Sequence, residues 1–325
     1  VLTSPPTLAL CYLAAASLFT LLYYRLTMAW TEADFTACAN LDGPWPAYSE
    51  LFGCRVLVPW LARLIKQITG ADYRWVFRAL TTLAVTGTLY AYRAYLSNFM
   101  RTGFASLTSL AIIYPMVWNL TLLNRLYYPF DVPALLLFVL GCHFIHRRSF
   151  RAYYLILILA TLNREAGLIL VLVQVVVSMG LISPRKLALH AVAQIALIVL
   201  IRSAVSLAVR GGLPRAPLLT VETNLAVFGD MLALRGNALR DWAKFLLSLG
   251  GVWWLVPWAA RGLPRTIRRG LLAAIPAAGL VLIFGIVDEM RLYIEFIPLL
   301  LTPVVYSVYA RRCQSDAAAP ERELS

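Results

Sequence analysis

Four short segments of this chain set carboxylates beside arginines and amides. They are Glu32, Asp34 and Arg55; Asn124, Arg125 and Asp131; Asn163, Arg164 and Glu165; and Asp288, Glu289, Arg291 and Glu295. None is a strong motif alone. Together they hold two complementary kinds of chemistry. An ionised carboxylate in a water-accessible cleft takes a proton from a hydroxyl group. Arginines bind a phosphate bidentately and stabilise the charge that develops on it as it leaves. The mixture therefore suits transfer of a group from a phosphate leaving group to a hydroxyl acceptor. A fifth position, Arg202, lies inside an apolar run, where it either meets such a phosphate or snorkels to the interface. The three histidines are scattered, and no Cys/His spacing matches a zinc site. There is no Gly-rich phosphate loop, dinucleotide fingerprint or Ser-His-Asp set. The sequence requires no cofactor; a divalent metal bridging a carboxylate and a phosphate stays open.

The elements that must position these groups are set by composition. The chain has 325 residues, of which 61% are hydrophobic and 14% charged, with a mean hydropathy of +0.74. Soluble domains carry about a quarter charged residues, so the expected class is all-α, a polytopic helical membrane protein. The formal net charge is +13. In a soluble protein that excess would suggest nucleic acid; here the basic residues fall in short loops, and membrane orientation accounts for them without a nucleic-acid partner.

Ten spans are expected. They cover about residues 8–24, 75–96, 104–122, 132–145, two limbs of the run 152–182, then 187–209, 245–260, 270–287 and a last one ending at 310. The run from Ala152 to Ile182 has 31 residues; as one helix it would be about 46 Å long against a hydrocarbon core of about 30 Å. Breaking it at Asn163–Glu165 returns the chain to its starting side. The loops bearing Arg93/Arg101, Arg147/Arg148/Arg151, Arg185/Lys186, Arg261/Arg265/Arg268/Arg269 and Arg311/Arg312 then share one side, the cytoplasmic one, and contain no acidic residue. Both termini are expected there. Residues 55–70 read as an amphipathic interfacial helix, and 210–244 as a long amphipathic loop. The first apolar run lacks a cationic leader and reads as a retained span. The whole is expected to be one transmembrane domain, 1–312, with a polar cytoplasmic tail, 313–325. Cys38 and Cys54 share one polar loop and can pair if it faces an oxidising compartment.

Blander readings stand beside these. Arg164 and Glu165 serve equally as an ion pair holding helices together. Asp131 fits a helix N-cap as well as a site. Arg291 and Glu295, four residues apart, can simply pair with each other. Trp45, Trp60, Trp75, Tyr127, Tyr128, Trp253, Trp254 and Trp258 fit an interfacial aromatic belt better than a sugar platform.

The order of the motifs adds a resemblance. An acidic loop after the first span is followed by Arg55-x-Leu57-x-Pro59-x-Leu61. Then come Tyr-Pro-Phe-Asp131-x-Pro-Ala-Leu-Leu-Leu and Thr-Leu-Asn163-Arg164-Glu165-Ala. From about Leu8 to Ala310 this resembles a broad group of bacterial integral membrane proteins similar to GT-C class glycosyltransferases. The resemblance implies a multi-span enzyme of the bacterial inner membrane. Its donor would be a polyprenyl-phosphate sugar, its acceptor a hydroxyl on a glycan or lipid, and membrane lipids its surroundings. It also implies a catalytic Asp or Glu in the first extracytoplasmic loop, which points to Asp34, with Glu32 second; Glu165 is the further carboxylate expected to act. Arg55, Asn124, Arg125, Asp131, Asn163, Arg164, Arg202, Asp288, Glu289, Arg291 and Glu295 would then bind substrate. Two other classes compete: a transporter or lipid flippase with an intramembrane Arg/Glu site, and a non-catalytic membrane assembly subunit.

Overall fold

The computed structural model describes residues 4–27, 31–40, 55–123, 127–164, 167–210, 220–285 and 289–322; the side chains of 32, 33, 210, 284 and 315–322 lie outside the description. Among the described residues there is no strand, and helices account for nearly all of them. In chain order they are α1 (Pro5–Leu26), α2 (Glu32–Asn40), α3 (Leu57–Thr69) and α4 (Tyr73–Leu96). A composite helix α5 (Thr102–Leu122) follows, then α6 (Asp131–Arg147), α7 (Phe150–Asn163), α8 (Gly167–Ser178) and α9 (Pro184–Arg210). The chain continues through α10 (Val221–Leu232), α11 (Ala238–Leu247), a 3-10 segment (Ser248–Leu255), the short α12 (Val256–Ala259) and α13 (Arg265–Phe284). A second 3-10 segment (Met290–Phe296) leads into α14 (Ile297–Arg322).

Among the described residues, five segments are long and apolar enough to cross a membrane: Pro5–Leu26, Thr102–Leu122, Pro184–Val209, Arg265–Ile283 and Met290–Gln314. Their outward faces agree. On α1, Tyr12, Ala16, Phe19 and Tyr23 are buried, while Leu10, Leu13, Leu18 and Leu21 are exposed. On α9, Leu189, Val192, Val199 and Leu200 are exposed. A helix apolar on both faces has a place only where its outer face meets lipid or another protein. The helices α7 and α8 are apolar but shorter. They replace the 31-residue run by two limbs, and the chain turns back at Arg164, which is extended (φ −166, ψ 170).

Helix-end contacts sort the loops into two groups. At one end, Phe99 packs on His146 (ring centres 4.6 Å apart) and Phe104 on Tyr309 (5.2 Å). There too Arg269 Nη1 donates to Val177 O (3.1 Å), and Ser307 Oγ donates to Ala259 O (2.9 Å). At the other end, Val56 N donates to Leu162 O (2.9 Å), Asn163 Nδ2 to Phe130 O (2.9 Å) and Asn119 Nδ2 to Met290 O (2.9 Å). The first end carries the basic loops; the second carries the mixed charges.

The bundle is tight between its central helices. A Cβ placed on Gly141 of α6 would lie 2.6 Å from Leu170 Cδ2 of α8, so any larger residue there would have to push the Leu170 side chain aside.

One expectation needs correction. Residues 245–260 do not form one spanning helix. Leu249, Gly250 and Gly251 all have left-handed backbones (φ 57, 63 and 72), and three such residues in succession cannot continue a right-handed helix. The freed backbone is held from α5: Asn119 Oδ1 accepts from Leu249 N (2.6 Å), and Tyr114 OH donates to Gly250 O (2.9 Å). At the C-terminal side, α14 runs on past the last expected span, through Cys313 to Arg322. The interfacial reading of 55–70 does yield a helix, α3, with Trp60, Leu61, Leu64 and Ile68 exposed along one side, and the 210–244 segment contains α10 and most of α11.

Candidate functional site

The site is built on the start of α6. Tyr23 of α1 grips the turn before it: Tyr128 N donates to Tyr23 OH (3.0 Å), and Tyr23 OH donates to Tyr128 O (3.3 Å). The turn closes with Asp131 N donating to Tyr128 O (3.3 Å). Asp131 is thereby fixed in the first turn of α6, where the helix dipole favours a negative charge. It is fully buried.

The opposing charge comes from the α7–α8 reversal. Asn163, the last residue of α7, donates from Nδ2 to Phe130 O (2.9 Å) and pins that end of the helix to the same turn. The next residue leaves the helix, which aims Arg164 inward: its Nη1 donates to Asp131 Oδ1 (3.0 Å) and lies 3.4 Å from Glu295 Oε1. On the far side, Arg291 Nη1 is 3.8 Å from Asp131 Oδ1, and its Nη2 donates to Glu289 Oε2 (2.8 Å). The Arg291 guanidinium also stacks on the Tyr128 ring, 3.7 Å from its centre. Burial pushes the Tyr128 phenol above its ordinary pKa, and Arg291 beside it draws it part of the way back.

The result is an alternating chain of charges, Glu289–Arg291–Asp131–Arg164–Glu295, drawn from three separate parts of the sequence. Arg55 comes from a fourth. It is also buried, with its guanidinium 5.8 Å from the Phe130 ring centre. Asn163, Arg55, Asp131, Arg164, Arg291 and Glu295 are each less than a tenth exposed.

The hydrogen bonding of this cluster is incomplete on the acceptor side. Asp131 Oδ2, Asn163 Oδ1 and both carboxylate oxygens of Glu295 are buried and accept no hydrogen bond from a described residue. Buried carboxylate oxygens without donors are costly, by about 1–3 kcal/mol each even for an uncharged polar group. Such atoms are either held for a ligand or bridged by water. The donors that fit them are hydroxyl and amide groups.

The other sequence-predicted residues fall as follows. Among the described residues, Asp34 makes no contact with the cluster. Its Oδ2 accepts from Thr31 N and Thr31 Oγ1 (both 2.7 Å), and Thr31 Oγ1 accepts in return from Asp34 N (3.3 Å). That reciprocal pair is a capping box at the start of α2, and it uses the carboxylate that the family resemblance offered for catalysis. Arg202 is half-buried on α9, whose Ile201, Val205 and Val209 pack against Val56 and Leu162 behind the site. Asn124, Arg125, Glu165, Asp288 and Cys54 lie outside the described residues, as does the side chain of Glu32; the Cys38–Cys54 pairing is outside them too. Among the described residues, no group of three or more His, Cys, Asp or Glu is arranged to hold a metal ion.

Three residues that sequence reasoning did not select are part of the site. Tyr23 and Tyr128 hold the turn. Asn119, in the π-helical last turn of α5, ties both 3-10 segments together, with Met290 O on one side and Leu249 N on the other. A polar side chain in an apolar run was its signal, and π-turns recur at functional sites.

Comparison of the chain with known protein families, with curated proteins and with solved structures found no match.

Proposed function

We propose that this chain is a GT-C-like membrane glycosyltransferase. In this reading it has about ten spans, lies in a bacterial inner membrane with both termini cytoplasmic, and works on the extracytoplasmic face. It moves a sugar from a lipid-linked phosphate donor to a hydroxyl acceptor on a glycan or lipid. The observation that carries the reading is the pair of buried carboxylates, Asp131 and Glu295: Asp131 Oδ2 and both Glu295 oxygens receive no hydrogen bond from a described residue, while arginines stand beside them.

In this mechanism Asp131 replaces Asp34 as the base. Its Oδ1 is held by Arg164, which keeps Oδ2 turned toward an incoming hydroxyl. As the acceptor oxygen bonds to the anomeric carbon, its proton passes to the carboxylate and the lipid phosphate leaves with the bonding electrons. Arg164 and Arg291 take up the charge on that phosphate. Glu295 and Asn163 accept hydrogen bonds from sugar hydroxyls and orient the ring.

Depth supports the same reading. Limbs of 14 and 12 residues rise about 20 Å, so from a common inner boundary their turn stops about 10 Å below the outer edge of a 30 Å core. A lipid-borne phosphate reaches such a site sideways from the bilayer. The basic loops at the opposite end of the bundle support a cytoplasmic assignment for that end.

The test is in vitro transfer. Purified protein in liposomes is offered radiolabelled polyprenyl-phosphate sugars and membrane-lipid or glycan acceptors, and the product is identified by mass. The proposal expects a covalent sugar product with the native chain and loss of it in Asp131→Asn. A second reading, a transporter, draws on the chain break at Arg164 between α7 and α8, since discontinuous helices line transport sites. Substrate flux into liposomes without any covalent product would establish that reading instead.

A further inference from the structure

A second built feature lies on the lipid side of the bundle, between α1 and α4. A groove of about 650 Å³ is lined by Thr20, Tyr24, Arg25, Trp75, Arg78 and Thr82, among others. Its rims face outward: Leu21 and Trp75 are both more than half exposed. Its depth matches the mixed-charge end, because Tyr23, beside Tyr24, binds the Tyr128 turn.

The two arginines are displayed differently. Arg25 is exposed. The Arg78 guanidinium carbon lies over both the Tyr24 and Trp75 rings, 4.9 Å from each centre. A guanidinium held against ring faces keeps its N–H groups to donate; Arg78 Nε is buried and has no hydrogen-bond partner among the described residues. Thr82 Oγ1 donates to Thr20 Oγ1 (3.1 Å), so hydroxyls line the deeper wall.

The groove is separate from the charge cluster. Tyr127 stands between them, with its ring centre 4.5 Å from that of Tyr24 and 5.0 Å from that of Tyr23. A ligand in the groove therefore meets arginines and hydroxyls but none of the carboxylates around Asp131.

We infer that this groove is a resident-lipid site: Arg25 and Arg78 hold the phosphodiester of an anionic glycerophospholipid headgroup, with its acyl chains along the exposed leucines of α1. The occupant is a lipid rather than a free anion because the groove opens onto the apolar outer face. It is anionic rather than zwitterionic because the two charged side chains among its lining residues are both cationic. Nothing in this inference requires the transferase reading.

Native mass spectrometry of the full chain in detergent tests it. Phosphatidylglycerol and phosphatidylcholine are titrated in parallel, with and without inorganic phosphate. The native chain should retain phosphatidylglycerol preferentially. Arg25→Gln, at an exposed side chain with no packing role, should weaken that binding about fivefold. Arg78→Gln should weaken it further, whereas Arg74→Gln, exposed at the same end but outside the groove, should not. Equal retention of the two lipids, or identical behaviour of Arg25→Gln and Arg74→Gln, would overturn the site. Displacement of the lipid by millimolar inorganic phosphate would overturn the lipid assignment in favour of a free anion.

Discussion

Two of the buried polar networks among the described residues are completed to different degrees. One joins α7, α8 and α9. Tyr153 OH donates to Gln194 Oε1 (3.0 Å), Gln194 Nε2 donates to Gln174 Oε1 (3.4 Å), and Gln174 Nε2 reaches Ser178 Oγ (3.5 Å). No atom of this chain is left without a partner. The other network is the Glu289–Arg291–Asp131–Arg164–Glu295 chain, where ion pairs link every member yet four acceptor oxygens around it, counting Asn163 Oδ1, receive no hydrogen bond from a described residue. A network that only ties helices together can close on itself, as the glutamine chain does. One that must take a ligand keeps acceptors open. On the proposed function, the contrast is between interhelical glue and a ligand site inside one molecule.

The largest expected effect falls on the open network. Asp131→Asn should lower transfer by about 100-fold or more, the usual contribution of a positioned base, while protein yield and helical circular dichroism stay near native. Next is Arg164→Ala. It leaves two buried carboxylates without their shared cation, and removal of one partner of a buried pair costs about 3–5 kcal/mol. Thermal unfolding in detergent should show that loss, and Arg164→Lys should restore stability more than activity, because a single ammonium cannot reproduce the planar fork.

Smaller effects are expected from the closed network. Gln194→Leu removes two weak interhelical bonds, worth about 1 kcal/mol together in a membrane interior. It should lower the unfolding temperature slightly and leave transfer unchanged. Loss of transfer without loss of stability in that variant would erase the distinction between the two networks. Smallest of all, Asp34→Asn should only loosen the start of α2, by about 1 kcal/mol or less, with activity retained.

Much of this was legible in the sequence because lipid is an unforgiving solvent. Apolar runs announced the helices, and the charge pair inside the 152–182 run announced the α7–α8 reversal, since such a pair is expensive in lipid. The same cost marked Asp131, Arg164, Arg291 and Glu295. What sequence reasoning misjudged was a local backbone signal: Gly250-Gly251 marks a break in a run that hydropathy reads as a span. Thr31-x-x-Asp34 also has the spacing of a capping box. Among the uncharged residues that position the site, Asn119 stands out only as a polar side chain in an apolar run, and Tyr23 and Tyr128 carry no cost that singles them out. Their roles depend on which helices become neighbours, and spacing along the chain does not specify that.

The most direct measurement is complementation in cells. The native gene is deleted, the glycans or lipids lost are identified by mass spectrometry, and native chain, Asp131→Asn, Asp34→Asn and Gln194→Leu are returned at matched membrane levels. The account predicts that Asp34→Asn and Gln194→Leu restore the missing product and Asp131→Asn does not. Full restoration by Asp131→Asn, present and folded in the membrane, would contradict it.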